Sequence, residues 1–226
     1  MVKSVFITAI GTDVGKTYVS GLILKKMREY GVNCGYFKPV LSGAIRDKYS
    51  GKLIPGDCCH VVKTAGLDID PMECVSYCFE EALSPHLASK RAGVNIDINK
   101  IKFDYNKLSS KYDYMIIEGA GGITCPIIDN KYLMWNLVKD LDKNVLVVSD
   151  SGLGCINSAI TTLEYIKIRN IEIKGVVFNN YAPDDFMHRD NLEMVESMSG
   201  VSVVSCVGKD DENINIDKEN LLALFE

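Results

Sequence analysis

The sequence predicts a doubly wound α/β fold, a mostly parallel sheet with helices on both faces, and three observations predict it. Apolar, β-rich runs recur at 4–9, 33–38, 113–118, 144–149, 173–178 and 201–206. Most are near-continuous, as in Tyr114-Met115-Ile116-Ile117, Val145-Leu146-Val147-Val148 and Gly175-Val176-Val177-Phe178. Such runs fit strands buried on both faces rather than half-solvated ones. Helical patterns fill the intervals at 16–30, 57–65, 84–92, 131–142, 155–169 and 185–198. Strands alternating with helices build right-handed crossovers and a parallel sheet. The length of 226 residues and a hydrophobic content of 47% suit one compact domain over 1–226 with a sizeable core. In such sheets ligands bind at the carboxyl ends of the strands, so the residues that follow each run deserve inspection.

The first run leads into Gly11-Thr12-Asp13-Val14-Gly15-Lys16-Thr17, and a helical pattern follows until Gly31. Strand, small polar turn, Lys-Thr and helix form the order of a phosphate-binding loop (P-loop NTPase-like). The turn directs backbone N–H groups inward and the helix start adds its positive dipole end. Asp13, Val14, Gly15, Lys16, Thr17 and Tyr18 are therefore the expected nucleotide-binding stretch. Lys16 reaches the β- and γ-phosphates, and the Thr17 hydroxyl ligates Mg²⁺. The strict pattern asks for glycine at position 10, where this chain carries Ile10. The alternative is an ordinary strand-turn-helix corner.

The second run leads into Phe37-Lys38-Pro39-Val40-Leu41-Ser42-Gly43. Lys38, at a strand end, faces the phosphates, where a second lysine stabilises charge on a transferring phosphoryl group. Otherwise it is a snorkelling surface lysine. Asp57, after Pro55-Gly56, opens a helical stretch and reads either as a plain N-cap or as part of the site. His86 in Ser84-Pro85-His86 begins a helix and bonds locally, whereas His60 and His188 have no partner identifiable from sequence. The third run ends in Glu118-Gly119-Ala120-Gly121-Gly122. A carboxylate there holds Mg²⁺, and the glycines let backbone approach a ligand; the alternative for Glu118 is a helix-start carboxylate. The fourth is followed by Asp150-Ser151-Gly152-Leu153-Gly154-Cys155-Ile156-Asn157, a helix start suited to a carboxylate, and the fifth by Asn179-Asn180, able to read an adenine edge or simply to turn. Polar and glycine-rich residues thus collect along one edge of the expected sheet, which marks a site.

Composition narrows the partners. A net charge of −5 gives no footprint for nucleic acid. No stretch approaches a membrane span, and the apolar run behind Met1-Val2-Lys3 is too short for a signal peptide, so a cytoplasmic protein is expected. Eight cysteines occur without a Cys-x-x-Cys pair; neither Cys58-Cys59-His60 nor Cys74 with Cys78 has zinc-site spacing. In a reducing compartment most of them act as small buried apolar residues.

The chain resembles the dethiobiotin synthetase family. The resemblance rests on Gly11 to Thr17, Gly35-Tyr36-Phe37-Lys38-Pro39-Val40-x-Ser42-Gly43, Ser84-Pro85-His86, Glu118 to Gly122, Gly154-Cys155-Ile156-Asn157 and Asn179, spread in the family's order over residues 5–180. It implies an ATP- and Mg²⁺-dependent closure of the ureido ring from 7,8-diaminopelargonic acid and CO₂. A carbamate attacks the γ-phosphate of ATP, and the second amine closes the ring of the resulting carbamic-phosphoric anhydride with loss of phosphate. The resemblance makes Lys38 and Lys16 catalytic and Thr17, Asp57 and Glu118 metal ligands. It puts Gly119, Ala120, Gly121, Asn179 and Asn180 beside the nucleotide, and Thr12, Ser42 and Asn157 beside the substrate. The segment from Gly154 to Asn157 would take the substrate's carboxylate tail across the interface of a homodimer. Two departures stand out: the family usually carries Gly-Thr where this chain has Ala9-Ile10, and Val207-Gly208-Lys209 matches its later adenine-contacting strand end poorly. A regulatory or partitioning ATPase switch is the rival reading, but such switches typically add an early loop lysine, absent here. A cobyrinate or cobyrate amidotransferase would need an added glutaminase segment.

Overall fold

The computed structural model describes residues 2–226. In chain order the elements are β1 (Lys3–Ala9), α1 (Lys16–Glu29), β2 (Cys34–Ser42), β3 (Ile45–Arg46), β4 (Leu53–Ile54), α2 (Gly56–Ala65), β5 (Val75–Phe79), α3 (Pro85–Ala92) and α4 (Ile98–Ser109). There follow β6 (Tyr114–Glu118), β7 (Pro126–Ile128), β8 (Tyr132–Leu133), α5 (Met134–Asp140), β9 (Asn144–Asp150), α6 (Cys155–Ile168), β10 (Ile173–Asn179), α7 (Phe186–Ser199), β11 (Val203–Val207) and α8 (Lys218–Ala223).

Seven strands form one sheet in the order β11-β10-β9-β1-β6-β2-β5. Every neighbouring pair in it is parallel. The chain builds outward on one side of β1 and then returns to build outward on the other. That places the carboxyl ends of β1, β6 and β2 side by side where the strand order reverses, the place such folds reserve for ligands. Two small antiparallel hairpins, β3 with β4 and β7 with β8, hang from this edge.

The core splits by strand alternation. Val5, Ile7, Ala9, Ile116, Leu146 and Val148 face α1, α2 and α8, where Val19, Ile23, Met27, Val61 and Leu221 meet them. Phe6, Met115, Ile117, Val145 and Val147 point the other way, to Ile101 of α4, Leu137 of α5, Leu163 of α6 and Val195 of α7. Successive side chains of a strand point to opposite faces, so a continuous apolar run feeds both layers. Each fully buried side chain of this size is worth about 1.5–3 kcal/mol relative to exposure.

The six expected runs are strands and the six expected helices are helices, with shifted ends. β2 continues to Ser42 instead of stopping at 38, so Lys38 lies within a strand and not at its end. The helix expected over 131–142 shrinks to α5 because Tyr132 and Leu133 pair with residues of β7. β5 escapes the sequence because Val-Ser-Tyr-Cys-Phe is a short edge strand, partly exposed and without a continuous apolar run. α4, capped by Asp97 on the Asn99 amide, and the short α8 were not expected either. All eight cysteines are free thiols. Among the described residues no helix is long and apolar enough to cross a membrane.

Candidate active site

The phosphate loop leaves β1 without strain at its irregular position. The Ile10 amide donates to the Val148 carbonyl at 3.1 Å, extending the strand ladder by one step. Within the loop positive φ occurs at Asp13 (60°) and Gly15 (98°), not at Ile10. Ile10 is therefore spared the left-handed backbone a β-branched residue resists, and it packs on the core beneath. Gly15 has two reasons to be glycine: its φ, and the Asn179 side-chain amide, which a Cβ there would overlap. Asn179 Nδ2 donates to the Val14 carbonyl at 3.0 Å. Lys16, buried in the first turn of α1, donates to the Gly11 carbonyl at 3.2 Å. Burial, and then the nearby Lys38 charge, lower its pKa; Glu118, Asp57 and Asp13 partly offset them.

Opposite the loop, β2 and β6 bring a lysine and a carboxylate together. Phe37 stands opposite Ile117 in the parallel register, so Lys38 and Glu118 follow one step on. Both are buried, Lys38 to 3% exposure and Glu118 to 0%. Lys38 Nζ donates to Glu118 Oε1 at 2.6 Å and lies 2.7 Å from Asp57 Oδ2. Thr17 Oγ1 donates to the same Glu118 oxygen at 2.7 Å, and Tyr36 donates to Oε2 at 2.8 Å. Burial alone would lower the Lys38 pKa, but Glu118 and Asp57 outweigh it and hold the ammonium above the ordinary lysine range. The snorkelling alternative for Lys38 is excluded by its burial. Asp57 is no N-cap either: α2 begins at Gly56 with Pro55 as the cap, and the Asp57 carboxylate turns to Lys38. Glu118 ends a strand and starts no helix.

These groups line a cleft of about 520 Å³. Thr12, Asp13, Gly15, Lys16, Thr17 and Tyr18 form its floor, and Lys38, Ser42, Asp57, Glu118, Ala120 and Gly121 its opposite wall. Val40, Gly56 and His60 also line it and were missed by sequence reasoning. Strand alternation signals Val40, two residues from both Lys38 and Ser42, once β2 is known to run on; His60 lies one helical turn beyond Asp57. Val14, Gly119, Asn179, Asn180 and Asn157 are not on the cleft wall. Gly119 instead accepts from Lys38 Nζ at 3.3 Å through its carbonyl, and its missing Cβ makes room for Phe6. Asn179 is 5% exposed and braces the loop from behind, with its Oδ1 buried and unpartnered. Asn180 donates to Asp150 Oδ1 at 2.8 Å, which joins the fourth and fifth clusters beside the cleft. Asn157, the third residue of α6, is exposed, and so is Leu153, four residues earlier, at 93% exposure. His86 hydrogen-bonds Ser84 at 3.0 Å, as expected of a local contact, and His188 Nδ1 accepts from the Ala182 amide at 3.0 Å.

The donors fit a hard divalent cation. A hydroxyl and two carboxylates supply oxygen alone, the set magnesium takes, with phosphate and water completing its shell. The Lys38 ammonium already sits as a cation between the two carboxylates. Among the described residues no group of three or more His, Cys, Asp and Glu forms a site that would hold a metal by protein ligands alone. Two buried lysines, Lys16 from the first turn of α1 and Lys38 from β2, line the same cleft and set fixed positive charge there.

Comparison with known proteins agrees with this architecture. A family profile described as an AAA domain matches residues 3–215. The ATP-dependent dethiobiotin synthetase of Clostridium botulinum (strain 657 / Type Ba4) is 45% identical, over 100% of this chain and 99% of its own. That of the Eklund 17B / Type B strain is 42% identical over the same shares. Among solved structures, the MinC:MinD cell division protein complex of Aquifex aeolicus aligns with a TM-score of 0.58 and 16% identity, covering 93% of this chain and 83% of the other. The ParA family ATPase of Chlorobium tepidum TLS aligns with a TM-score of 0.56 and 15% identity, covering 99% and 91%. These distant likenesses show the fold alone, whereas the full-length identity goes further: the chain belongs to the family of ATP-dependent dethiobiotin synthetases.

Proposed function

We propose that this protein closes the ureido ring of dethiobiotin from 7,8-diaminopelargonic acid, CO₂ and ATP, releasing ADP and phosphate. The observation that carries the reading at the level of the site is the second buried lysine, Lys38, which faces the phosphate loop and its own lysine, Lys16, across one cleft. One amine of the substrate adds to CO₂ and loses a proton, giving a carbamate. A carbamate oxygen then attacks the γ-phosphorus as the bond to ADP breaks. The second amine attacks the carbonyl carbon of the mixed anhydride and gives up a proton, and phosphate leaves. Negative charge gathers on phosphoryl and carbamate oxygens at each stage, and fixed cations in a dry site lower its energy.

In this reading the loop from Asp13 to Tyr18 holds the phosphates, Lys16 bridges the terminal ones, and Lys38 stands by the carbamate and the transferring phosphoryl group. Thr12 and Ser42 flank the diamine. Thr17, Asp57 and Glu118 would hold Mg²⁺, which supplies charge neutralisation and in-line alignment of the phosphates when bound. Asn179 and Asn180 stand on the adenine side, where Asn179 acts through the loop it braces. Gly154 to Asn157, with exposed Leu153 beside it, would meet the substrate's tail at the interface of a homodimer. The same reading sets the enzyme in the cytoplasm with its nucleotide and bicarbonate. No protein nucleophile is required.

Phosphate release from ATP should depend on both the diamine and bicarbonate, with dethiobiotin identified by mass. Robust hydrolysis without the diamine would instead make the protein a nucleotide switch.

A further inference from the structure

We propose that Tyr36 is a positioning residue for the metal-binding carboxylate: its hydroxyl holds Glu118 so that a single oxygen, Oε1, is presented to the cleft. The proposal rests on the reading of Glu118 as a ligand of the divalent cation.

The geometry divides the two oxygens of Glu118 between two tasks. Oε1 receives Thr17 and Lys38 from the cleft side, at 2.7 and 2.6 Å. Oε2 points into the protein and receives the Tyr36 hydroxyl at 2.8 Å. Among the described residues no other side chain donates to Oε2. Tyr36 is 1% exposed and packs in the core beneath α1 and α2, so it touches neither substrate nor nucleotide. It shares a face of β2 with Lys38, two residues on, and the ladder sets it diagonally beside Glu118.

The bond matters because the last torsion of a glutamate is soft. Rotation about the bond to the carboxylate is broad and roughly two-fold, so burial alone does not fix which oxygen faces the cleft. A hydrogen bond from behind does fix it, and it satisfies an oxygen that is otherwise buried without a partner. A divalent cation held by Oε1 would compete with the Lys38 and Thr17 hydrogen bonds to that oxygen. Tyr36 can keep its bond throughout, since it uses the other one. It is thus the partner of Glu118 that persists between the metal-free and metal-bound arrangements. Outer partners of this kind typically change metal affinity by about 10–100-fold when removed.

Tyr36→Phe removes one hydroxyl and little else, which makes it the variant to use. The full-length wild type, Tyr36→Phe and Glu118→Gln are each loaded with a non-hydrolysable ATP analogue, and Mn²⁺ binding is titrated by electron paramagnetic resonance. Analogue affinity in EDTA and the metal-free melting temperature are recorded alongside. Tyr36→Phe is expected to bind Mn²⁺ about tenfold more weakly, with analogue affinity in EDTA unchanged, and Glu118→Gln more weakly still. If Glu118→Gln loses the metal while Tyr36→Phe binds it as the wild type does, Tyr36 has no positioning role although Glu118 remains a ligand. If both variants bind Mn²⁺ normally, the assignment of Glu118 fails and this proposal with it. An equal loss of analogue affinity in EDTA for Tyr36→Phe would mark a general disturbance of the cleft and overturn the specific role.

Discussion

Lys38 Nζ lies 2.6 Å from Glu118 Oε1, and both groups are shut away from solvent. The ammonium therefore occupies ground that a divalent cation would contest. Lys38→Met should bind Mn²⁺ more tightly than the wild type in the absence of nucleotide, because no ammonium has to be displaced. The same variant should keep affinity for the ATP analogue yet lose at least about 10²-fold in turnover, the scale of one removed charge-stabilising donor. Equal Mn²⁺ affinity in the two proteins would show that the lysine and the metal do not compete.

The two carboxylates that share Lys38 differ in burial, and their stability effects should differ accordingly. Removing one partner of a buried pair leaves an uncompensated charge, which costs about 3–5 kcal/mol. Glu118 is fully buried and its loss also strips the Tyr36 hydroxyl of its partner, so even with Asp57 still facing Lys38, Glu118→Leu should lower the melting temperature sharply. The Asp57 side chain is 39% exposed, and pairs with that much solvent are worth about 0–1 kcal/mol. Asp57→Asn should melt close to the wild type. Calorimetric melts of the two variants decide the matter, and equal shifts would contradict it.

Gly15 is the loop residue least open to replacement. At φ 98° an alanine is strained by about 1–2 kcal/mol, and its Cβ also overlaps the Asn179 amide. Gly15→Ala should weaken binding of the ATP analogue by about tenfold or more. In an Asn179→Ala background the overlap is gone and only the backbone strain remains, so the same change should be milder there. A double-mutant cycle by titration calorimetry tests this, and strict additivity would rule out the contact.

The raised pKa of Lys38 has a defined pH signature. Its value exceeds the ordinary lysine value of 10.5, against burial, because of Glu118 and Asp57. A group bound more tightly to its proton in the folded state stabilises fully below the unfolded pKa and loses that contribution as pH climbs through the folded one. The stability difference between wild type and Lys38→Met should hold level from neutral pH to about 10 and shrink above about 10.5. Denaturant melts across that range measure it; a difference already declining near pH 8 would assign the effect to another group.

Much of the site is readable in sequence because strand ends in a parallel sheet are punctuated by small and polar residues. Lys16, Thr17, Lys38 and Glu118 are visible this way, whereas Asp57, at a helix start, enters only through the family resemblance; all five line one cleft. His60 and Val40 were missed since neither stands at a strand end as the sequence delimits it. Asn179 was legible as a strand-end polar residue, but its place behind the loop was not. β5 and α4 escaped for a related reason: an edge strand and an amphipathic helix with a polar outer face show no continuous apolar run.

By itself, the sequence determined the alternation of strand and helix, the phosphate loop, and the residue types available for charge neutralisation. Those follow from local periodicity and from motifs of contiguous residues. Only the tertiary structure decided how they meet. It extended β2 past Lys38, set that lysine opposite Glu118 through the parallel register, and tied Asp57 to them from another helix. It also aimed Tyr36 at the far oxygen of Glu118 and gave Ile10 an unstrained backbone. Such facts depend on strand register and on contacts between residues tens of positions apart, and no local pattern in the chain encodes the distance between them.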